Sequence, residues 1–402
     1  MDGSRGAVSG TVSSGFHFDG SWVFLSLFLF WAGAFEMAPV HYPDQGMLFD
    51  GIVGCIVILV YFLCVLIHEG GHKFFSKVFR RFYDGNQLTI WGGVPNEADS
   101  FVMSDPRDRI VRMGGPLFNL LIGVALHQLD HSIRQHPDPL SEEIAPFIFF
   151  AMKANLFLAF INLLPILPFD LGALFLLGKK DESQDAPGRW VSQGGVGFAW
   201  LLTLVGLALA TRGSLISGFG LIFLGVHLAR SVVVWKGRLG LVSFLRLQDI
   251  SSLVEKDGHD LRMTESLENA YWKHFYPSGR EKLPVCSDDG VFQGVLEWSE
   301  LKKVPSMLRA DRTVGSMNLS NGLRDKVSLD PNSWRKLFDA IERGSHRLFV
   351  LENEGYKGII FPLRLLEQFR MSTSLGQPIL DESVSKRKED PADLPPNPPE
   401  FL

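Results

Sequence analysis

The sequence predicts an α-helical polytopic membrane domain of about six transmembrane helices, followed by an α+β cytoplasmic domain. Three observations predict it. The 402-residue chain is 46% hydrophobic and only 21% charged, with a mean hydropathy of +0.12. That is too apolar for a disordered chain and high for a wholly soluble one. Six runs before residue 236 approach the ~17–25 apolar residues that a spanning helix needs. After residue 240 charges become frequent and apolar residues alternate, as in a half-buried sheet. The net charge of −5 speaks against a nucleic-acid partner, which selects basic surfaces. Three cysteines, Cys55, Cys64 and Cys286, are too few for a disulfide scaffold or an all-cysteine zinc site.

Taken in order, residues 1–20 form an N-terminal tail and residues 21–236 the membrane domain. The six runs are Ser21–Phe35, Leu48–Ile67, Ile110–Leu126, Phe147–Phe169, Val191–Thr211 and Ser214–Val234. Ile110–Leu126 is short and contains Arg112, so it is the least apolar. Ser21–Phe35 has a second reading as a signal peptide; against it, no A-x-A pattern follows and Arg5 alone supplies positive charge before it. Lysine and arginine then set the orientation. Residues 36–50 hold none, residues 127–145 only Arg134, and the turn after Thr211 only Arg212. Lys73, Lys77, Arg80, Arg81, Arg107, Arg109 and Arg112 follow the second run, Lys179, Lys180 and Arg189 the fourth, and Arg230, Lys236, Arg238 and Arg246 the sixth. Six helices with both chain ends in the cytoplasm satisfy these counts together.

The second run ends in His68-Glu69-Gly70-Gly71-His72, an H-E-x-x-H pattern. Residues four apart share one helix face, so His68 and His72 can bind one metal ion. Glu69 is rotated about a hundred degrees away, where it reaches a water on the metal rather than the metal. A charged cluster at the end of an apolar helix is costly and marks function more often than chance. The bland reading is a solvated helix end. A catalytic zinc needs a third protein ligand. The fourth run supplies a candidate in Asn162-Leu-Leu-Pro165-Ile-Leu-Pro168-Phe-Asp170. Two prolines break the helix, and non-helical backbone at membrane depth is tolerated where it lines a cavity or is buried in protein. The charge count, made without reference to these motifs, places His68, His72 and Asp170 near the same cytoplasmic face.

These motifs resemble the site-2 protease family of intramembrane zinc metalloproteases. The third core helix adds Gly115-Pro116-Leu-Phe-Asn119, similar to that family's G-x-x-x-N element. Order and spacing match across a core at 48–175. The resemblance implies one zinc ion held by His68, His72 and Asp170, with Glu69 as general base. It also implies that Asn119, Asn162 and Pro165 shape the substrate groove. One departure stands out: the family usually has glycine directly after the aspartate, and here Leu171 precedes Gly172. Gly70 and Gly71, adjacent in a helix at a cost of ~0.5–1 kcal/mol each, call for a close neighbour or a frayed end. Between the second and third helices, Leu88–Trp91 and Ser100–Met103 read as short strands around Gly92-Gly93 and Pro95. Either this is a plain loop or, as the resemblance implies, a hairpin whose edge takes an extended substrate.

A linker is expected at 237–254. Residues 255–370 contain two similar units, each reading helix, strand, glycine turn, strand, helix. They run from Ser266–Ala270 through Lys282–Cys286 to Gly294–Leu296, and from Ser333–Leu337 through His346–Val350 to Gly358–Ile360. This pattern resembles a tandem pair of CBS domains, which implies an adenine nucleotide between the repeats or, equally, a module for homodimer formation or docking. Glu300 suits the ribose-binding position of the first repeat; the second has Arg364 there instead. The tail at 371–402 is rich in proline and charge, a composition of disorder.

The expectation is therefore a zinc metalloendopeptidase in the lipid bilayer, hydrolysing a peptide bond in or near the transmembrane helix of a single-pass membrane protein. The bacterial inner membrane is the expected location, and the C-terminal pair would regulate access or assembly. Two rivals remain: an inactive membrane scaffold, which Leu171 alone supports, and a CBS-regulated transporter, which requires broken helices in repeated halves.

Overall fold

The computed structural model describes residues 17–81, 83, 87–94, 106–176, 186–256, 258–322 and 325–372. It divides into two compact units, residues 1–236 and 237–402. Six of its helices are long and apolar enough to cross a membrane, and the chain is an integral, multi-pass membrane protein. They are α1 (Ser21–His41), α2 (Met47–Phe79), α3 (Pro106–Gln135), α4 (Pro139–Asn162), α6, whose apolar part is Trp190–Thr211, and α7 (Leu215–Leu247). Their outward faces expose large apolar side chains such as Phe24, Leu63, Phe160, Leu204 and Phe219, as a lipid-facing surface requires. Inside, Leu25, Val57, Val65, Leu158, Phe169 and Leu228 form a common core.

Several helices outrun their apolar runs. α2 continues well past Ile67 to Phe79, so H-E-x-x-H lies inside a helix and not at its end. α3 spans 30 residues and includes Pro116. α4 stops at Asn162, ahead of the two prolines, and is followed by irregular backbone to Phe169 and a short helix, α5 (Asp170–Leu176). The fourth run thus comprises a helix, a break and a new helix start, and Asp170 is the first residue of that start. The linker expected at 237–254 is mostly helix: α7 runs unbroken to Leu247 and a 3-10 turn follows at Ile250–Leu253.

Two glycines bring α2 and α3 together. A Cβ on Gly71 would lie 2.3 Å from the Gly114 carbonyl oxygen, and one on Gly114 would lie 2.6 Å from that of Gly71. The backbones therefore touch, as small residues permit in membrane helix pairs. Gly70 meets nothing within 4 Å, so close approach explains only the second of the two adjacent glycines.

A three-stranded sheet accompanies these helices. β2 (Gln87–Thr89) and β3 (Gly92–Val94) form a tight antiparallel hairpin, and β1 (His17–Phe18) pairs in parallel with β2. The hairpin turns at Ile90 and Trp91, earlier than expected; Ser100–Met103 lies outside the described residues. β1 was not anticipated.

The second unit carries two three-stranded sheets of identical order, β4-β5-β6 and β7-β8-β9. In the first, β5 (Lys282–Cys286) and β6 (Phe292–Glu297) form a hairpin beside a short parallel strand, β4 (Leu261–Arg262). In the second, β8 (Leu348–Glu352) and β9 (Gly355–Ile360) repeat this beside β7 (Lys326–Ser328). The helices are α8 (267–278) and α9 (Trp298–Leu301) in the first repeat, and α10 (Ser333–Glu342) and α11 (Pro362–Ser372) in the second. The hairpin turns meet, with Phe292 N–H donating to the Glu354 carbonyl at 2.9 Å. The last turns of α7 belong to this unit: the Arg238 guanidinium donates to both Glu342 oxygens at 3.2 and 2.9 Å, and Arg246 lies over Trp334. Of the tail at 371–402, expected to be disordered, residues 371 and 372 end α11 and the rest lie outside the described residues.

Candidate metal centre

α2 presents His68 and His72 on one face, and both rings are almost wholly buried. The helix start at Asp170 brings a carboxylate to them across the break in the fourth span. Asp170 Oδ2 lies 3.1 Å from His68 Nε2 and 3.2 Å from His72 Nε2, and the two nitrogens are 3.3 Å apart. Three donors on a tetrahedral zinc with bonds of ~2.0–2.1 Å stand roughly 3.3–3.4 Å from one another. The observed triangle has that size.

The far sides of both rings are fixed. His68 Nδ1 lies 3.0 Å from Asn119 Oδ1. The Asn119 amide nitrogen donates to the Cys64 carbonyl and to Asn155 Oδ1, so Oδ1 must be the acceptor and His68 Nδ1 the donor. Asn155 is held in turn by donating to the Ala151 carbonyl at 2.8 Å and to Cys64 Sγ at 3.1 Å. His72 Nδ1 lies 2.9 Å from the Val111 carbonyl, which can only accept, and 3.3 Å from the Gly115 N–H; the shorter contact makes Nδ1 the donor. Both rings therefore carry their proton on Nδ1 and turn the Nε2 lone pair toward Asp170, the tautomer a metal ligand needs.

Gly115 keeps the space between the rings open. A Cβ there would lie 2.4 Å from His72 Nε2 and 2.7 Å from His68 Nε2. No other residue type fits this cradle. Glu69, 1% exposed, joins the group: one donor atom each of His68, Glu69 and His72 fall within 4.8 Å of one another. Its Oε2 accepts a hydrogen bond from the Tyr83 hydroxyl at 2.8 Å, and the Tyr83 ring stacks on His72. Arg112, the charge that made the third run least apolar, acts electrostatically on Asp170, Tyr83 and Asp108 and lies over Trp235.

The structure thus brings His68, Glu69, His72 and Asp170 together. It places Asn119 directly behind His68, wholly buried. The Asn162 amide donates to the Leu158 carbonyl of its own helix, and Pro165 is exposed. Leu171 does not disturb the centre. Gly172 supplies the close approach instead, since a Cβ there would lie 2.1 Å from the Ile166 carbonyl oxygen. Tyr83 and Asn155 were missed by sequence reading. The signal for Asn155, a lone amide in an apolar run, was present. In the second unit, Glu300 pairs with Lys303 and Arg364 with Glu255.

Fold and site together define a polytopic membrane protein with a buried His–His–Asp cluster and an adjacent glutamate. No family model and no curated protein matches the chain. Among solved structures, it is similar to the site-2 protease from Methanocaldococcus jannaschii at 18% identity, over 52% of this chain and 86% of that one, with a TM-score of 0.35. It is also similar to CBS domains of a transcriptional regulator from Streptococcus pneumoniae, at 17% identity over 30% of this chain and 98% of that one, with a TM-score of 0.26. A third is the CBS domain of a bacterial CNNM/CorC family Mg2+ transporter, at 14% identity over 42% and 93%, with a TM-score of 0.26.

Proposed function

We propose that this protein is an intramembrane zinc endopeptidase that hydrolyses a peptide bond in or near the transmembrane helix of a single-pass membrane protein. The observation that carries the reading is the triangle of His68 Nε2, His72 Nε2 and Asp170 Oδ2, with edges of 3.1–3.3 Å, facing a cradle that only glycine leaves open. His68, His72 and Asp170 would hold the ion. When bound, zinc supplies Lewis acidity, polarising a carbonyl and bringing the acidity of water to near pH 7. Glu69 accepts the proton of the attacking water and returns it to the leaving amine. Asn119 and Val111 hold the two imidazoles in the required tautomer. Burial of the centre among α2, α3 and α5 limits bulk water, which strengthens each of these polar contacts.

In this reading the chain lies in a bacterial inner membrane with both ends cytoplasmic, and the C-terminal pair governs substrate access or assembly, including a homodimer through its repeats. The rival scaffold reading rests on Leu171 alone; the close packing of Gly172 on Ile166 supports the protease reading. The test is purification with zinc quantification, then incubation with a panel of single-pass membrane proteins in proteoliposomes. Wild type is expected to hold one zinc per chain and to cut, and Glu69→Gln to hold zinc and not cut. Equal cleavage by both defeats the mechanism.

A further inference from the structure

The chain reverses sharply after α2. Arg80 takes a left-handed conformation (φ 53°) and ends the helix. Arg81 N–H donates to the Ser76 carbonyl at 2.9 Å, and Ser76 Oγ donates to the Arg81 carbonyl at 2.6 Å. The Arg81 guanidinium then grips both oxygens of Asp108, in the first turn of α3, at 2.5 and 2.9 Å. Arg81 is thus pinned to the end of one helix and the start of the next. Two residues on, Tyr83 is turned back over the centre. Its hydroxyl reaches Glu69 Oε2 at 2.8 Å, and its ring lies on His72 with centroids 4.7 Å apart and planes 23° apart.

Resting on the protease reading, we infer that Tyr83 is a positioning residue of the hydrolysis. It acts through Glu69. A carboxylate this buried needs donors, and a phenol stacked on His72 fixes which rotamer the carboxylate keeps. Glu69 must face the attacking water on the open side of the His–His–Asp triangle. The Tyr83 hydrogen bond holds Oε2, and with it the plane of the carboxylate. Stacking on His72 fixes the phenol itself, so the alignment does not depend on substrate.

The experiment uses the full chain, zinc-loaded in detergent, with acetohydroxamate as probe. A hydroxamate passes a proton to the neighbouring carboxylate as it binds zinc, so its affinity reports where Glu69 points. Zinc content and hydroxamate dissociation constants are measured for wild type, Tyr83→Phe, Glu69→Gln and the double variant. Tyr83→Phe keeps the stacked ring and is expected to keep one zinc per chain. Its hydroxamate binding should weaken about ten- to a hundredfold, the worth of a hydrogen bond to a charged group. On the Glu69→Gln background the same change should have no further effect. Wild-type affinity in Tyr83→Phe, or an equal loss on both backgrounds, overturns the role of Tyr83 while leaving the protease reading in place. A wild type that takes up neither zinc nor hydroxamate sinks the protease reading and this inference with it.

Discussion

Replacing Gly115 with alanine should abolish metal binding without unfolding the protein. The added methyl would sit 2.4 Å from His72 Nε2 and 2.7 Å from His68 Nε2, both about 1 Å inside the ~3.5 Å optimum for such contacts. Relief has two routes. The rings can rotate, which breaks the Nδ1 bonds to Asn119 and Val111. Otherwise α3 can retreat from α2, which opens the Gly71–Gly114 contact. Either way the methyl faces the atoms that would bind the ion. Loss of outer-shell support alone weakens metal sites by ~10–100-fold, so direct obstruction should weaken this one by at least ~100-fold. The assay is zinc competition against a chelator of graded affinity, alongside thermal unfolding. Two neighbouring substitutions serve as controls. A Cβ at Gly70 meets nothing within 4 Å, so Gly70→Ala should bind zinc normally and gain up to ~1 kcal/mol from helix propensity. Gly114→Ala forces the helices apart at a 2.6 Å backbone contact, and should lose stability more than zinc. If Gly115→Ala binds zinc as tightly as wild type, the cradle is not a metal site.

Asn155→Leu should weaken zinc about 10–100-fold by freeing the Asn119 amide behind His68; chelator competition reads it, and unchanged affinity would show that the relay is idle. Glu342→Ala removes both hydrogen bonds that the buried Arg238 guanidinium makes to this carboxylate, at a cost of up to roughly 3 kcal/mol to the C-terminal unit. The double change Arg238→Met with Glu342→Leu should recover most of that in thermal unfolding. Burial, aided by Asp260, pushes the Cys286 thiol up to about 11. At pH 8 it should therefore be ~0.1% thiolate, against about a quarter for an ordinary thiol near 8.5. Iodoacetamide should label the Cys286 peptide only after denaturation. Because the folded thiol keeps its proton longer than the unfolded one, the unit should also lose stability as pH rises from ~8.5 toward about 11.

The six spans were legible because hydropathy is a local property, and His68, Glu69, His72 and Asp170 because metal chemistry imposes residue type and spacing together. Helix ends were less legible. Residues 68–79 of α2 are amphipathic, so the apolar run stops while the helix continues. The two- and three-residue strands β1, β4 and β7 are too short to show a period. Gly70 and Gly71 look alike in sequence, and only the crossing of α3 tells them apart. Tyr83 was hidden for a different reason. Its role depends on the left-handed Arg80 and on the Arg81–Asp108 pair across 27 positions, neither of which is a local signal.

The hydrogen bonds behind His68 and His72 explain how the proposed centre can stay aligned between apolar helices. Each unpaired polar group in a lipid environment costs several kcal/mol, and here the acceptors for the two imidazoles come from α3, one turn to either side of Gly115. Rotation of α2 by one residue would orphan both Nδ1 protons and both asparagines at once. Metal geometry is therefore set by helix packing, whereas the orientation of Glu69 is set by a loop. Substitutions should separate accordingly. Changes at Gly115, Asn119 and Asn155 should act on zinc affinity, and changes at Tyr83, Arg81 or Asp108 on what the loaded centre does. A loop substitution that lowered zinc affinity as much as Gly115→Ala does would show that this division is wrong and that the two halves of the site move as one.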